Sequence, residues 1–243
     1  MNGIVQQPGF RSLVLLLVLA CLATSAAFAD GIVIDKIYDP YVQPLEKEFE
    51  FRSLVYSDND LVDVQKHSFA FGLALNERWF AEIYAIGVKT TGESFGIDTY
   101  ELELKHQLTE QGEYAFDWGL LFELERETDV DSWELSTSVI ALREIGQWVA
   151  TANFDLIVEW GEAVTNEFET AFHGQFRRRW REAFEPGLEV HLGQDTLAVG
   201  PVFSGQTRLG GGSKFRWEAG YFVGLDEITP DDTVRLILEY EFY

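Results

Sequence analysis

Asp232-Thr-Val-Arg-Leu-Ile-Leu-Glu-Tyr-Glu-Phe-Tyr243, the last stretch of the chain, alternates with a period of two. Val234, Leu236, Leu238, Tyr240 and Phe242 fall on one face of an extended strand, and Arg235, Glu239 and Glu241 on the other, with Ile237 the one exception. A strand that is apolar on one side, charged on the other and aromatic at its end suits a wall between lipid and water. The same pattern recurs upstream. Tyr100, Leu102 and Leu104 alternate with Glu101, Glu103, Lys105 and Gln107; Trp148, Ala150, Ala152, Phe154, Leu156, Val158 and Trp160 alternate with Thr151, Asn153, Asp155 and Glu159.

At the other end, Arg11 precedes the apolar run Leu13–Ala20, and Ala27-Phe28-Ala29 supplies the small residues read by a signal peptidase. Residues 1–29 are therefore expected to be a cleaved signal peptide. The run is too short to span a bilayer, and Leu19 is bulky for a lipoprotein site at Cys21. Cys21 is the only cysteine, so a chain cleaved after Ala29 carries no disulfide or thiolate chemistry. An exported chain with this last strand resembles the outer-membrane β-barrel proteins of Gram-negative bacteria, although the alternation runs through Phe242 rather than Tyr243. The resemblance implies an outer-membrane location, contact with lipid and lipopolysaccharide, and insertion by a barrel-assembly machinery; it names no substrate.

The formal net charge of −23 argues against nucleic acid as a partner, because a phosphate backbone would be repelled. After the signal no apolar run is long enough for a spanning helix, so insertion into a membrane requires strands. Alternating segments separated by turn-like clusters predict an all-β, closed, antiparallel transmembrane barrel over residues 45–243, with about twelve strands (ten as the alternative) and short turns on both sides. Asp39-Pro40 and Pro44 mark residues 30–44 as a periplasmic lead-in outside the sheet. Pro201 makes the ninth and tenth strands the weakest part of the pattern. A soluble sandwich or lipocalin-like barrel shares the period but not the long strands with aromatics at their ends.

Function then belongs to the lumen. With both termini at one end, Glu46, Glu48, Glu50, Glu239 and Glu241 gather on one wall, and Arg177, Arg179 and Arg181 at similar height on roughly the opposite one. Arg52, Glu101, Glu103, Lys105, Arg216 and Arg235 complete the expected pore lining. Opposed walls of this kind set up a field that orients charged or dipolar small solutes. Alternatively these groups pair across a narrow barrel and fill it. The acidic loops Ser57–Asp60, Arg126–Asp131 and Asp226–Asp232 read as hydrated turns or as sites for cations that bridge lipopolysaccharide. No His-Glu-x-x-His occurs, and no enzymatic activity or cofactor is expected. His173 and His191, inward on adjacent strands, make at most a partial metal site with Glu169 or Glu189, and otherwise a polar network.

Overall fold

The computed structural model describes residues 34–58, 62–92, 94–162 and 164–243. The expected signal peptide lies outside the described residues. Twelve strands follow one another as β1 (Lys47–Asp58), β2 (Val62–Ala74), β3 (Trp79–Thr90), β4 (Gly96–Gln107), β5 (Asp117–Glu127), β6 (Ser132–Ile145), β7 (Trp148–Gly161), β8 (Glu167–Arg178), β9 (Glu185–Leu192), β10 (Leu197–Gly210), β11 (Ser213–Gly224) and β12 (Asp232–Phe242). Each pairs antiparallel with its neighbours in sequence, and β12 closes on β1 through Lys47↔Phe242 to Tyr56↔Thr233. Closure leaves no edge strand, and every backbone ladder is satisfied within the wall.

The alternation read from the sequence is the one the barrel uses. On β12, Val234, Leu236 and Tyr240 are exposed on the outer face, while Arg235, Ile237, Glu239 and Glu241 are buried inside. Aromatic rings mark both ends of the outer wall. Trp148 stacks on Phe176 near the end that carries Tyr243 and the start of β1, and Trp133 stacks on Trp160 at the other.

Two sequence expectations need adjustment. β8 ends at Arg178, so Arg179 and Arg181 lie in the connection to β9. Pro186 and Pro201 both sit within strands. Around Pro201 the β10–β11 pairing lapses between Val199↔Val223 and Val202↔Gly220, which is where a residue without an N–H is tolerated.

The interior is not uniformly polar. Phe80, Tyr84 and Ile86 on β3, Leu121 on β5, Ile140 and Leu142 on β6, and Phe222 on β11 all turn inward and are buried. What covers part of this surface is residues 34–44, which stand outside the sheet, as expected of a lead-in, but inside the barrel. Ile34 packs with Leu54, Ala198, Val202 and Phe222, and Tyr38 packs with Leu121 and Ile140. The segment descends through the lumen from Ile34 toward the end where β1 begins and β12 ends. It reverses at a turn closed by the Glu46 N–H donating to the Gln43 carbonyl, with Leu45 at φ 67°, and then climbs as β1.

Candidate functional site: a divided lumen

Polar contacts fix the inner segment at each step of its descent. Arg235, 1 % exposed on β12, donates to the Asp35 carbonyl and to the Glu189 and Glu218 carboxylates. Arg52 on β1 bonds the Asp35 carboxylate at 2.5 Å. Burial opposes the Asp35 charge, but Arg52, Lys66, the Lys36 N–H and Arg235 outweigh it and hold the carboxyl down at about 2. Lys36 lies 2.5 Å from both Glu50 and Glu239. Burial disfavours its ammonium, yet these carboxylates prevail and Lys36 stays protonated well above the usual lysine range. Tyr38 exchanges two hydrogen bonds with the Asn153 side chain and donates its hydroxyl to Glu103. Further down, Asp39 pairs with Arg177, the Tyr41 hydroxyl donates to Asp117, and the Val42 N–H donates to Gln107.

The segment stands between two cavities that share only Lys36 and Tyr38 as lining residues. The cavity toward the start of β1 and the end of β12, about 620 Å³, is bordered by Glu46, Glu48, Glu239 and Glu241 and also by Arg177, Arg179 and Arg181. The two charged groups expected to face one another therefore do border one space. Many of these groups are already paired. Arg216 sits 3.2 Å from Glu239 and 3.4 Å from Glu241, Lys214 contacts Glu241, Arg177 is 2.6 Å from Glu185, and Arg179 is 2.7 Å from Glu144. Arg181 is exposed, its guanidinium 5.3 Å from the Trp180 ring centre. Lys105 and Arg216 also border this cavity. Glu50, Arg52, Glu101, Glu103 and Arg235 are buried inside the wall but line neither cavity.

The cavity at the opposite end, about 390 Å³, has a different character. Among the described residues, nine carboxylates border it, Glu123, Glu125, Glu134, Glu159 and Glu169 among them, against two lysines, Lys36 and Lys66. The lumen is therefore acidic at one end and mixed at the other.

His173 and His191 meet as a register pair, with their Nδ1 atoms 2.9 Å apart. Each outer nitrogen faces a carboxylate, Asp155 at 2.9 Å from His173 and Glu189 at 3.1 Å from His191. Glu189, not Glu169, is thus the nearer glutamate, and Glu189 also binds Arg235. The pair forms a closed polar chain from Asp155 to Arg235, buried and edged by the Phe222 ring.

No family model matches the chain, and no curated protein matches it in sequence. Solved structures do. An outer-membrane channel from Pseudomonas putida F1 superposes with a TM-score of 0.56 at 13% identity, over 84% of this chain and 97% of that one. The KdgM porin in complex with disordered oligogalacturonate gives 0.51 at 9%, over 81% and 98%. The β domain of the Bordetella autotransporter BrkA gives 0.52 at 15%, over 82% and 99%. The fold is that of the outer-membrane β-barrels. At these identities the likeness extends to architecture alone, since the same barrel serves a porin and an autotransporter.

The inner segment was the feature that sequence pattern did not reveal. A signal was present: apolar residues that break alternation on the inward face, Tyr84, Ile86, Leu121, Ile140 and Phe222, need cover inside the lumen, and Ile34, Ile37, Tyr38 and Val42 supply apolar groups.

Proposed function

We propose that this protein is an exported outer-membrane channel for small polar or charged solutes, whose lumen is closed down midway by its own residues 34–44. The observation that carries the reading is the division of the closed barrel into two cavities, of about 390 and 620 Å³, by a single peptide segment and not by a continuous core. The wall of Glu46, Glu48, Glu239 and Glu241 and the facing Arg177, Arg179 and Arg181 act as the orienting field of the inner chamber, and the carboxylates of the outer chamber favour cations at that entrance. Its outer surface meets lipid and lipopolysaccharide, its insertion depends on a barrel-assembly machinery, and no catalysis is assigned. The architecture shared with channel proteins supports this reading.

A second reading, a non-conducting structural or lipid-interacting barrel, is favoured by the ion pairs of Lys36 and Asp35, which hold the segment in place. Planar-bilayer recording separates the two. The full barrel should show small unitary steps, and a barrel lacking residues 34–42 should show larger ones. A correctly folded, inserted barrel that stays silent in both forms overturns the channel reading.

A further inference from the structure

Three groups of carboxylates inside the barrel bring three ligand oxygens each to within 4.8 Å of one another: Glu46, Glu48 and Glu241; Glu48, Glu50 and Glu239; and Glu101, Glu103 and Glu123. Carboxylates this close cannot all remain charged in a poorly solvated space unless a cation joins them. In the first group Lys214 contacts Glu241, and Arg216 lies 3.4 Å from it. In the second, the Lys36 ammonium lies 2.5 Å from both Glu50 and Glu239. The protein thus places its own cation in each.

The third group has only a distant one, Arg52 at 4.0 Å from Glu103. Among the described residues Glu101 and Glu123 make no ion pair. The nearest cation to Glu103 is Arg52 at 4.0 Å, and that guanidinium is engaged at shorter range by Glu50 and Asp35. Tyr38 donates to one oxygen of Glu103 and Ser136 to one of Glu123. The other oxygen of Glu103, a residue 2 % exposed, has no partner. β-strand register explains the gathering: Glu101 and Glu103 point inward from β4, and Glu123 lies opposite Glu103 on β5.

We propose that Glu101, Glu103 and Glu123 form a binding site for a divalent cation, Ca²⁺, beside the inner segment. Hard cations take carboxylate oxygens, and the looser, larger coordination shell of Ca²⁺ tolerates this spread of ligands better than the strict octahedron of Mg²⁺. Bound there, the ion supplies the charge that Lys36 supplies to the neighbouring group. It also neutralises the surface on which Tyr38 rests. The site does not depend on whether the barrel conducts.

The test is calorimetric titration of the full, detergent-folded barrel with Ca²⁺ alone. One saturable site is expected, weakened at least tenfold in Glu101→Gln and in Glu123→Gln, and unchanged in Glu46→Gln. Absence of saturable binding to the folded barrel overturns the proposal, as does binding that survives both substitutions, which would place the ion on the outer loops. If a variant fails to fold, the wild-type protein still decides. Tb³⁺ bound here should show tyrosine-sensitised emission that Ca²⁺ quenches, through Tyr38. An infrared band of a protonated carboxyl that persists in Ca²⁺ and disappears in Glu103→Gln would show that a shared proton occupies the site instead, and would likewise overturn it.

Discussion

Lys36 is the side chain on which the divided lumen turns. Its ammonium bridges β1 and β12 through Glu50 and Glu239, and both carboxylates are almost fully removed from solvent. Removing one partner of a buried pair leaves an uncompensated charge, at a cost of about 3–5 kcal/mol. Lys36→Met should therefore release the segment, raising protease sensitivity at residues 34–44 and enlarging conductance steps while the barrel remains folded. Glu46, at the cavity mouth, supports a prediction about pH. Burial, then its contact with Glu241, raises its carboxyl to about 7. Because the folded value lies above the ordinary one, the stabilisation from the protonated form is present below about 4.5 and is lost as pH rises through about 7. Cation preference should accordingly increase across neutral pH, and Glu46→Gln should flatten that step in reversal-potential measurements.

At the scale of elements, the strands are the part most legible in sequence. Twelve alternating segments correspond to twelve strands, because each must present one face to lipid and one to the lumen. The inner segment has no such periodicity. Its backbone is satisfied by side chains of the wall, such as Asn153 and Gln107, and not by a ladder. It also needs room. A Cβ on Gly119 would stand 2.9 Å from the Cβ of Pro40, so β5 and the segment touch there through a glycine. Gly119→Leu should push the segment aside, giving larger conductance steps and a modest loss of barrel stability, of about 1–3 kcal/mol from overpacking, read by thermal unfolding. An unaltered conductance in that variant would mean that the segment and β5 separate without consequence.

For the whole molecule, two charged groups that are distant in sequence, Glu46, Glu48, Glu239 and Glu241 on one side and Arg177, Arg179 and Arg181 on the other, border one cavity. Reversing Arg177 and Arg179 to glutamate should increase cation preference severalfold; a conducting barrel with unchanged selectivity would remove the basic wall from the solute path. Arg179 is already bonded to Glu144, so its share of that effect should be the smaller. The sequence by itself determined a closed antiparallel barrel of about twelve strands and, for the strands that alternate cleanly, which face looks inward. A period-two pattern carries that information locally, and closure follows from the need to pair every edge. The alternation also predicts which charges share the inside, and Arg179 and Arg181 depart from that by lying beyond the end of β8. Tertiary structure alone decided whether those charges meet solute, one another or the chain's own leader. Lys36 lies 203 residues before Glu239 and 14 before Glu50, and only the closure of β12 on β1 places both carboxylates within reach of one ammonium. The occupancy of a lumen is a matter of distances across it, and no local periodicity encodes those.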